Sequence, residues 1–420
     1  MRMHICFLQY NLQGGGAERK VCTLANYFVS QGHKVEIGLF GVNQVAYKLD
    51  SRVEVVFLRR KNFEYHGIIE KYLFNIRKAL QSLLLLCISL LEFILKQINP
   101  KMASKASRER LKNHFDKRNE YIEPIRRFIQ DRKDSVFITM MVSSYLEILN
   151  VMSPFWSERI TVPYLVMDCN DPKRNADATM NGQRSTKYPK AARVLVMTQA
   201  AKEYFNEEIQ KKCVVIPNPI RDDLPSPYYG ERKNIIVNYC RLNRQKNLPL
   251  LIKSFVQFHK VFPHFKLEIY GQGELKEQLE DLIQEMGLTD FAHILPFDAN
   301  IHQKIRDYAM LVSSSDWEGF PNTVLEALCL GMPVISTDCD FGPRDMIKDY
   351  ENGLLVPVDD EIALTNAMVE LASNRELANK LGKNAIKIRD LYSVDVIGKR
   401  WLDLIIEVKN EFNSTQKKQK

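Results

Sequence analysis

Apolar residues in this chain occur in short β-rich runs separated by longer amphipathic stretches. The chain opens with a strand predicted over His4–Tyr10, a glycine-rich loop and a helix over Ala17–Gln31. Gly32 is placed to end that helix, and a second strand is predicted over Lys34–Phe40. A strand, a helix and a strand in this order form a βαβ unit, which implies a parallel sheet covered by helices.

The same alternation continues in two series that a proline-rich break, residues 217–230, separates. We therefore predict an α/β protein of two tandem doubly wound, Rossmann-like domains, 1–225 and 226–394. A helix and tail at 395–420 are expected to pack back toward the first domain. Ligands of such folds bind at the carboxyl ends of the strands, here in the cleft between the domains. The further predicted strands are Ser135–Met141, Tyr164–Asp168, Val194–Met197, Cys213–Ile216, Ile235–Tyr239, Lys266–Tyr270, His293–Leu295, Met310–Ser313 and Pro333–Ser336.

One segment, about 66–133, interrupts the first series. Its first part is strongly helical and contains the longest apolar run, Leu83–Leu91. A membrane-spanning helix needs about 20 apolar residues, so this run is too short to cross a bilayer. Residues 101–133 hold 11 basic and 5 acidic residues. The segment is therefore predicted to be a helical, basic insertion.

Charge is unevenly distributed along the 420 residues, which carry a net charge of +8. Residues 1–230 hold 35 basic and 23 acidic residues, whereas residues 231–420 hold 24 and 28. The positive excess therefore belongs to the first half, where it suggests an anionic partner, either a membrane or a nucleic acid. An ordinary basic surface is the alternative, and charge alone favours it.

Composition excludes several classes of protein. A chain that is 45% hydrophobic is too apolar to be disordered. Its eight cysteines form no C-x-x-C pair and lie mostly in apolar runs, which is typical of reduced thiols in a cytosolic protein. Its eight histidines show no H-x3-H or H-E-x-x-H spacing, so we predict no metal site.

Two motifs could bind a phosphate. Gly14–Gly16, followed by Glu18, lies between a strand and a helix, where free N–H groups suit an anion; a plain tight turn is the alternative. Arg241 and Lys246 follow the strand Ile235–Tyr239 and could hold a diphosphate, because arginine offers a planar fork and lysine a point charge. A solvated turn is the alternative for the second motif.

A third motif, Ser313–Gly331, combines two carboxylates with a helix start. Pro321 is predicted to begin a helix, so Glu318 lies in the loop before it and Glu326 within it. The free N–H groups of Asn322–Leu325 form an anion site, and a carboxylate there can accept hydrogen bonds from vicinal sugar hydroxyls. An ordinary capped helix explains Glu326 poorly, because this residue follows the first turn.

These motifs occur in order with the segments IPNPI at 216–220, YGQGE at 270–274, FGPRDMI at 341–347 and ENGLLVPVDD at 351–360. The combination, above all the Glu-x7-Glu spacing of Glu318 and Glu326, resembles the retaining glycosyltransferases of family 4 (glycosyl transferases group 1), which have the GT-B fold. The resemblance extends over most of the chain and is strongest over about 213–358. It implies a metal-independent enzyme without a cofactor that uses a nucleotide-sugar donor.

The resemblance also implies roles for single residues. Arg241 and Lys246 would grip the donor diphosphate, and Glu318 near the donor sugar would complete the catalytic set. Glu326 would bind the ribose hydroxyls. The implied donor-binding residues are Gly15, Gly16, Phe297, Phe320, Pro321, Asn322, Thr323 and Glu326.

The chain departs from the family in its first domain. Many relatives carry a histidine after a strand there, facing the donor sugar, whereas Phe137–Ser144 contains none. The remaining candidates on the acceptor side are Glu18, Asp168 and Asn170. Asp168 and Asn170, together with Asp171, could equally form an Asx-type turn before Pro172.

From these features we expect a glycosyltransferase that moves a hexose or N-acetylhexosamine from a UDP-sugar to a lipid-linked or surface-polysaccharide acceptor. The apolar helix at 79–95 and the basic insertion predict a cytoplasmic protein lying on the anionic inner face of the membrane; a packed helix with solvated charges is the alternative. A sugar-nucleotide epimerase or hydrolase of similar fold is a second interpretation, and a non-enzymatic nucleic-acid-binding protein a third. The Glu-x7-Glu block argues against the second and the lack of a binding motif against the third.

Overall fold

A computed structural model of the protein describes residues 2–13, 15–41, 44–58, 123–140, 162–169, 171–173 and 188–418, together with Arg184 and eight single positions between 76 and 87. Within these residues the chain forms two parallel β-sheets with covering helices, as the alternating pattern predicts. The strands are almost wholly buried, which is typical of parallel sheets whose two faces are both covered.

The first sheet has seven strands in the order β3-β2-β1-β4-β5-β6-β7 within the described residues. These strands are β1 (His4–Gln9), β2 (Lys34–Leu39), β3 (Glu54–Phe57), β4 (Val136–Met140), β5 (Tyr164–Met167), β6 (Arg193–Val196) and β7 (Cys213–Val215). The helices with this sheet are α1 (Gly16–Ser30), α2 (Glu123–Gln130), α3 (Gln199–Tyr204) and α4 (Glu207–Gln210).

The second sheet has six strands in the order β10-β9-β8-β11-β12-β13, again within the described residues. They are β8 (Lys233–Tyr239), β9 (Lys266–Tyr270), β10 (Ala292–Leu295), β11 (Tyr308–Ser313), β12 (Val334–Thr337) and β13 (Leu354–Val356). The later helices are α5 (Leu248–Val261), α6 (Lys276–Glu285), α7 (Ile301–Ile305), α8 (Asn322–Cys329), α9 (Pro343–Met346), α10 (Glu361–Ser373), α11 (Arg375–Ala385), α12 (Ile388–Tyr392) and α13 (Val394–Lys418).

Strand order reverses at corresponding points of the two sheets, between β1 and β4 and between β8 and β11. Such a reversal opens a crevice at the carboxyl ends of the strands, and ligands of doubly wound sheets bind there. The loops that leave β1, β8 and β11 therefore define where a site is expected.

The last helix, α13, packs against α1 of the first sheet. A Cβ atom at Gly398 would lie 2.4 Å from the ring of Tyr27, so the two helices approach closely. Arg193, at the start of β6, pairs with Glu407 at 2.6 Å and with Glu411 at 2.7 Å. A buried apolar cluster is continuous from the first sheet through α13 to α8.

The element boundaries differ from the sequence prediction at a few places. Two short strands, β3 and β13, were not predicted. Strand β3 is partly exposed, and β13 is a short apolar run between the polar ends of the ENGLLVPVDD segment. Helix α6 begins at Lys276, two residues after the YGQGE segment ends, and α2 ends at Gln130, within the predicted insertion. Most of the predicted insertion at 66–133 lies outside the described residues.

Candidate active site

Two loops meet at the carboxyl ends of β8 and β11. The loop after β8, residues 240–247, carries Arg241 and Lys246. The loop after β11, residues 314–321, carries Glu318 and leads into α8. A hydrogen bond of 2.9 Å from the Asp316 N–H to the Gln245 carbonyl joins the loops. Residues from two separate sequence motifs thus come together.

The loop after β8 is braced by the turn that follows β9. The N–H of Leu242 donates to the carbonyl of Gln272 at 3.0 Å. A Cβ at Gly271 would lie 1.9 Å from the carbonyl oxygen of Cys240, and a Cβ at Gly273 would lie 2.3 Å from that of Leu242. Only glycine permits this backbone approach, which accounts for the YGQGE segment as a strand-to-helix turn.

Lys246 and Glu318 form a close ion pair within the second domain. The Nζ of Lys246 lies 2.5 Å from Oε1 of Glu318, and the hydroxyl of Ser315 donates to the same oxygen at 2.7 Å. Burial acts to lower the pKa of Lys246, but the Glu318 charge outweighs it and the pKa is raised. Lys246 is therefore a protonated cation whose position the carboxylate fixes.

Arg241 is different, because its side chain is exposed and makes no ion pair with any residue that the structure describes. Its positive charge interacts electrostatically with Glu18 of α1. Burial raises the pKa of Glu18, and the Arg241 charge partly opposes this rise. Arg241 therefore presents a guanidinium into the cleft between the two domains.

Glu326 lies in α8 and is only 3% exposed. Its Oε2 is 2.9 Å from Nε2 of His302 and 3.4 Å from the hydroxyl of Tyr239, and its Oε1 is 2.6 Å from Nη2 of Arg19 in α1. Burial acts to raise the pKa of Glu326, but the charge of Arg19 and the contact with His302 outweigh it and lower the pKa to about 2. The residue is therefore a carboxylate at neutral pH.

The N-terminal ends of α8 and α1 face each other across the cleft. A Cβ at Gly16 would lie 2.4 Å from Nδ2 of Asn322, and Asn218 donates to Oδ1 of Asn322 at 2.9 Å. Gly15 has a φ of 132°, a conformation that favours glycine. Because a helix N-terminus carries free N–H groups and a partial positive charge, the two ends together form an electropositive region.

The other predicted donor residues surround this region in different ways. Pro321 directly precedes α8, and the backbone carbonyl of Thr323 accepts a hydrogen bond from Tyr239 at 3.0 Å. The Phe320 ring is buried and lies 6.0 Å from that of Tyr392, so only the backbone of Phe320 is available to a ligand. Phe297, after β10, is 67% exposed and offers a free aromatic face.

Asp168, one of the acceptor-side candidates, is held in a buried ion pair. Its Oδ2 lies 3.0 Å from Nε of Arg184 and accepts a hydrogen bond of 2.7 Å from the Tyr188 hydroxyl. Asp171 accepts a hydrogen bond from the N–H of Lys173 at 2.7 Å, which is the geometry of an Asx turn. Asn170 lies outside the described residues. The roles of Glu18, Asp168 and Asn170 therefore stay predictions.

Three groups around Glu326 were not identified from the sequence: Arg19, Tyr239 and His302. Arg19 directly follows Glu18 in the glycine-rich motif, so its position was available as a signal. Tyr239 is the last residue of β8, and the sequence analysis assigned it to the strand and only the following Arg241 and Lys246 to the site. His302 lies in α7 at a spacing that matches no pattern, so no sequence signal indicated it.

Within the described residues, no cluster of three or more His, Cys, Asp or Glu side chains is placed to hold a metal ion. None of the described helices combines the length and hydropathy that crossing a membrane requires.

Comparisons with known proteins agree with this arrangement. Residues 222–388 match the family model of the Glycosyl transferases group 1. Over 415 residues the chain is 25% identical to the GalNAc-alpha-(1->4)-GalNAc-alpha-(1->3)-diNAcBac-PP-undecaprenol alpha-1,4-N-acetyl-D-galactosaminyltransferase of Campylobacter jejuni, a match that covers 97% of this chain and 99% of that protein.

Two solved structures share the architecture. TarM of Staphylococcus aureus, in complex with UDP among other ligands, superimposes with a TM-score of 0.71 at 16% identity, covering 96% of this chain and 99% of that chain. HepE of Anabaena in complex with UDP gives a TM-score of 0.69 at 16% identity, covering 96% and 100%. The two sheets and their cleft thus form the GT-B fold. Residues 222–388 thus match the group 1 glycosyltransferases, and the full-length relative and the shared fold support a glycosyltransferase.

Proposed function

We propose that the protein is a retaining glycosyltransferase that transfers a hexose or N-acetylhexosamine from a UDP-sugar to a lipid-linked or surface-polysaccharide acceptor, without a metal ion. The observation that carries this proposal is the exposed Arg241 beside the fixed cation Lys246. Among the described residues Arg241 has no anionic partner, whereas Lys246 pairs with Glu318 and Arg19 pairs with Glu326. A diphosphate supplies the missing negative charge.

The chemistry requires positive charge where the donor breaks. When the sugar leaves UDP, negative charge develops on the β-phosphate, and fixed donors aimed at that charge stabilise the transition state. Arg241, Lys246 and the free N–H groups at the start of α8 supply such donors. Retention then follows from attack on the same face of the sugar, with the leaving phosphate accepting the proton of the acceptor hydroxyl.

An N-acetylhexosamine is the donor sugar that we favour, since the full-length relative is named an N-acetylgalactosaminyltransferase. Glu326 would accept hydrogen bonds from the ribose hydroxyls, and the exposed Phe297 would lie against the uracil. TarM and HepE were solved with UDP, which supports the choice of nucleotide.

The acceptor would bind on the first domain, and a lipid-linked acceptor brings that domain to a membrane. The described positions between 76 and 87 are helical, and their isoleucine and leucine side chains are 48–59% exposed. Ile76, Leu80, Leu83 and Leu84 follow the spacing of one helix face. Each surface Lys or Arg contributes about 1 kcal/mol near an anionic leaflet, so the basic residues of 101–133 would add to this apolar contact.

Vesicle sedimentation tests the membrane part of the proposal. We expect the protein to bind vesicles rich in phosphatidylglycerol and not neutral vesicles, and Leu83→Glu with Leu84→Glu to weaken this binding. An exposed double substitution of equal charge on α6, Gln278→Glu with Gln284→Glu, serves as the control. Equal binding to both kinds of vesicle, or no binding, would contradict peripheral association.

A direct assay tests the reaction. UDP-N-acetylhexosamines are incubated with an undecaprenyl-diphosphate oligosaccharide in the presence of EDTA, and the anomer formed is read by NMR. We expect a retained α-linkage, and Arg241→Ala to lower turnover 100-fold or more, the size of a lost transition-state contact. Lys253→Ala, which removes an exposed charge from α5, should leave turnover unchanged. An inverted product or full activity of Arg241→Ala would refute the proposal.

A further inference from the structure

We propose that Arg221 and His302 are positioning residues that orient Glu326 for the ribose of the nucleotide and thereby make the enzyme select ribonucleotides over deoxyribonucleotides. This inference rests on the proposed use of a nucleotide sugar. Neither residue belongs to the motifs that define the site; His302 contacts the Glu326 carboxylate directly, and Arg221 contacts it through His302.

The contacts form an uninterrupted chain of polar groups. Nη1 of Arg221 lies 3.0 Å from Nδ1 of His302, and Nε2 of His302 lies 2.9 Å from Oε2 of Glu326. Asp223 holds the guanidinium of Arg221 through two contacts, to Nε and Nη2. This series of contacts, which we call the relay, runs from the segment between β7 and β8, which joins the two sheets, to the Glu326 carboxylate in α8.

Arg221 fixes the direction of hydrogen bonding along the relay. A guanidinium carries only donors, so Nδ1 of His302 must accept from Arg221. The hydrogen of the neutral imidazole then lies on Nε2, where it donates to Glu326. Arg221 therefore selects the imidazole tautomer that Glu326 requires.

The half of the arrangement next to Glu326 is buried, whereas Asp223 at its outer end is 61% exposed. The side chains of His302 and Glu326 are 6% and 4% exposed, and the ring of Tyr239 stands edge-on to His302 with centroids 5.5 Å apart. A buried polar network whose members are all partnered holds its groups in one geometry. A carboxylate offers about four acceptor positions. His302 occupies one on Oε2 and Arg19 one on Oε1, whereas the Tyr239 hydroxyl donates to the Thr323 carbonyl, so one position on each oxygen remains for the ribose hydroxyls.

This geometry has a consequence for nucleotide choice. Two adjacent hydroxyls bind one carboxylate only if its oxygens face both of them, so a carboxylate that rotates loses the second contact. A nucleotide that lacks the 2′-hydroxyl has no such contact to lose. Disturbing His302 should therefore weaken UDP more than 2′-deoxy-UDP, whereas general damage to the fold weakens both nucleotides equally.

Two substitutions at His302 separate its contact with Glu326 from its contact with Arg221. His302→Gln places an amide N–H near the position of Nε2 and can still donate to Glu326. His302→Asn retains a group near Nδ1 that can accept from Arg221 but is too short to reach Glu326. Glutamine and asparagine are both polar and no larger than histidine, so neither side chain overfills the site. His264→Asn, in the exposed turn between α5 and β9, is the matched control.

The experiment measures the dissociation constants of UDP and 2′-deoxy-UDP by calorimetry on the full chain. We expect the wild type to prefer UDP by about tenfold or more, the size of one hydrogen bond to a charged group. His302→Asn should lose most of this preference, as Glu326→Ala does, whereas His302→Gln and His264→Asn should keep it. Arg221→Gln should lose part of it.

Failure of the relay and failure of the proposed function give different results. If the wild type prefers UDP and Glu326→Ala removes the preference, but His302→Asn keeps it or weakens both nucleotides equally, the positioning role is wrong and the proposed function stands. If the wild type binds neither UDP nor a UDP-sugar, the proposed donor is wrong and the relay falls with it.

Discussion

Glu318 and Glu326 are two buried carboxylates eight residues apart, and they differ in what surrounds them. Glu318 contacts Lys246, Ser315 and Gln245, all from the second domain. Glu326 contacts Tyr239 and His302 from the second domain and Arg19 from the first. One spacing in the sequence therefore produces two environments, one closed within a domain and one that spans the cleft.

The difference indicates different tasks. Glu318 neutralises and fixes a lysine, so it acts on a ligand through Lys246. Glu326 is held from behind by His302 and meets Arg19 on the side of the first domain, where a nucleotide would enter. We infer that Glu326 touches the donor and that Glu318 chiefly arranges the cation that does.

The largest effect should come from removing the carboxylate that spans the cleft. Glu326→Ala is expected to lower turnover 100-fold or more, because it removes the ribose contact and leaves Arg19 and His302 without their partner. Steady-state kinetics with saturating acceptor measures this loss, and Glu277→Ala on the exposed face of α6 is the control. Near-normal turnover of Glu326→Ala would remove Glu326 from the donor site.

The second prediction concerns the contribution of Glu326 to the free energy of unfolding. The pKa of Glu326 is about 2 in the folded protein and about 4.3 in an unfolded chain, so its ionisation stabilises the fold above pH 4.3 and this contribution is lost as the pH falls toward 2. We expect Glu326→Gln to lower the free energy of unfolding by about 3 kcal/mol at pH 7. The gap from the wild type should narrow below pH 4.3 in urea titrations. A gap that stays constant down to pH 3 would contradict the ion pairing of Glu326.

Removing the other carboxylate should have the smallest effect and a distinctive pH dependence. In Glu318→Gln, burial is no longer opposed by a negative charge, so the pKa of Lys246 falls and its charge is lost at a lower pH than in the wild type. We expect about tenfold lower turnover at pH 7. The deficit should grow between pH 7 and pH 10. A ratio to the wild type that does not change with pH would show that Glu318 acts other than through Lys246.

The sequence predicted this comparison only in part. Strand and helix patterns gave both doubly wound sheets, since each buried parallel strand is a short apolar run, and they failed where burial was weak, as in β3. Arg241, Lys246 and Glu318 were found because they lie in loops directly after predicted strands, where the fold itself brings them together.

The partners of Glu326 could not be found in the same way. Arg19 lies 307 residues before Glu326 in the chain, and the two meet only because the domains pack against each other. His302 carries no motif, and its role depends on the Arg221 contact that fixes its tautomer. Such contacts arise from tertiary packing, which local patterns do not encode.

A crystal structure of the protein with UDP tests the central claim most directly. We expect UDP in the cleft, with both ribose hydroxyls within hydrogen-bond distance of the Glu326 carboxylate and the β-phosphate against Arg241. A UDP molecule bound elsewhere, or one whose ribose faces away from Glu326, would contradict it.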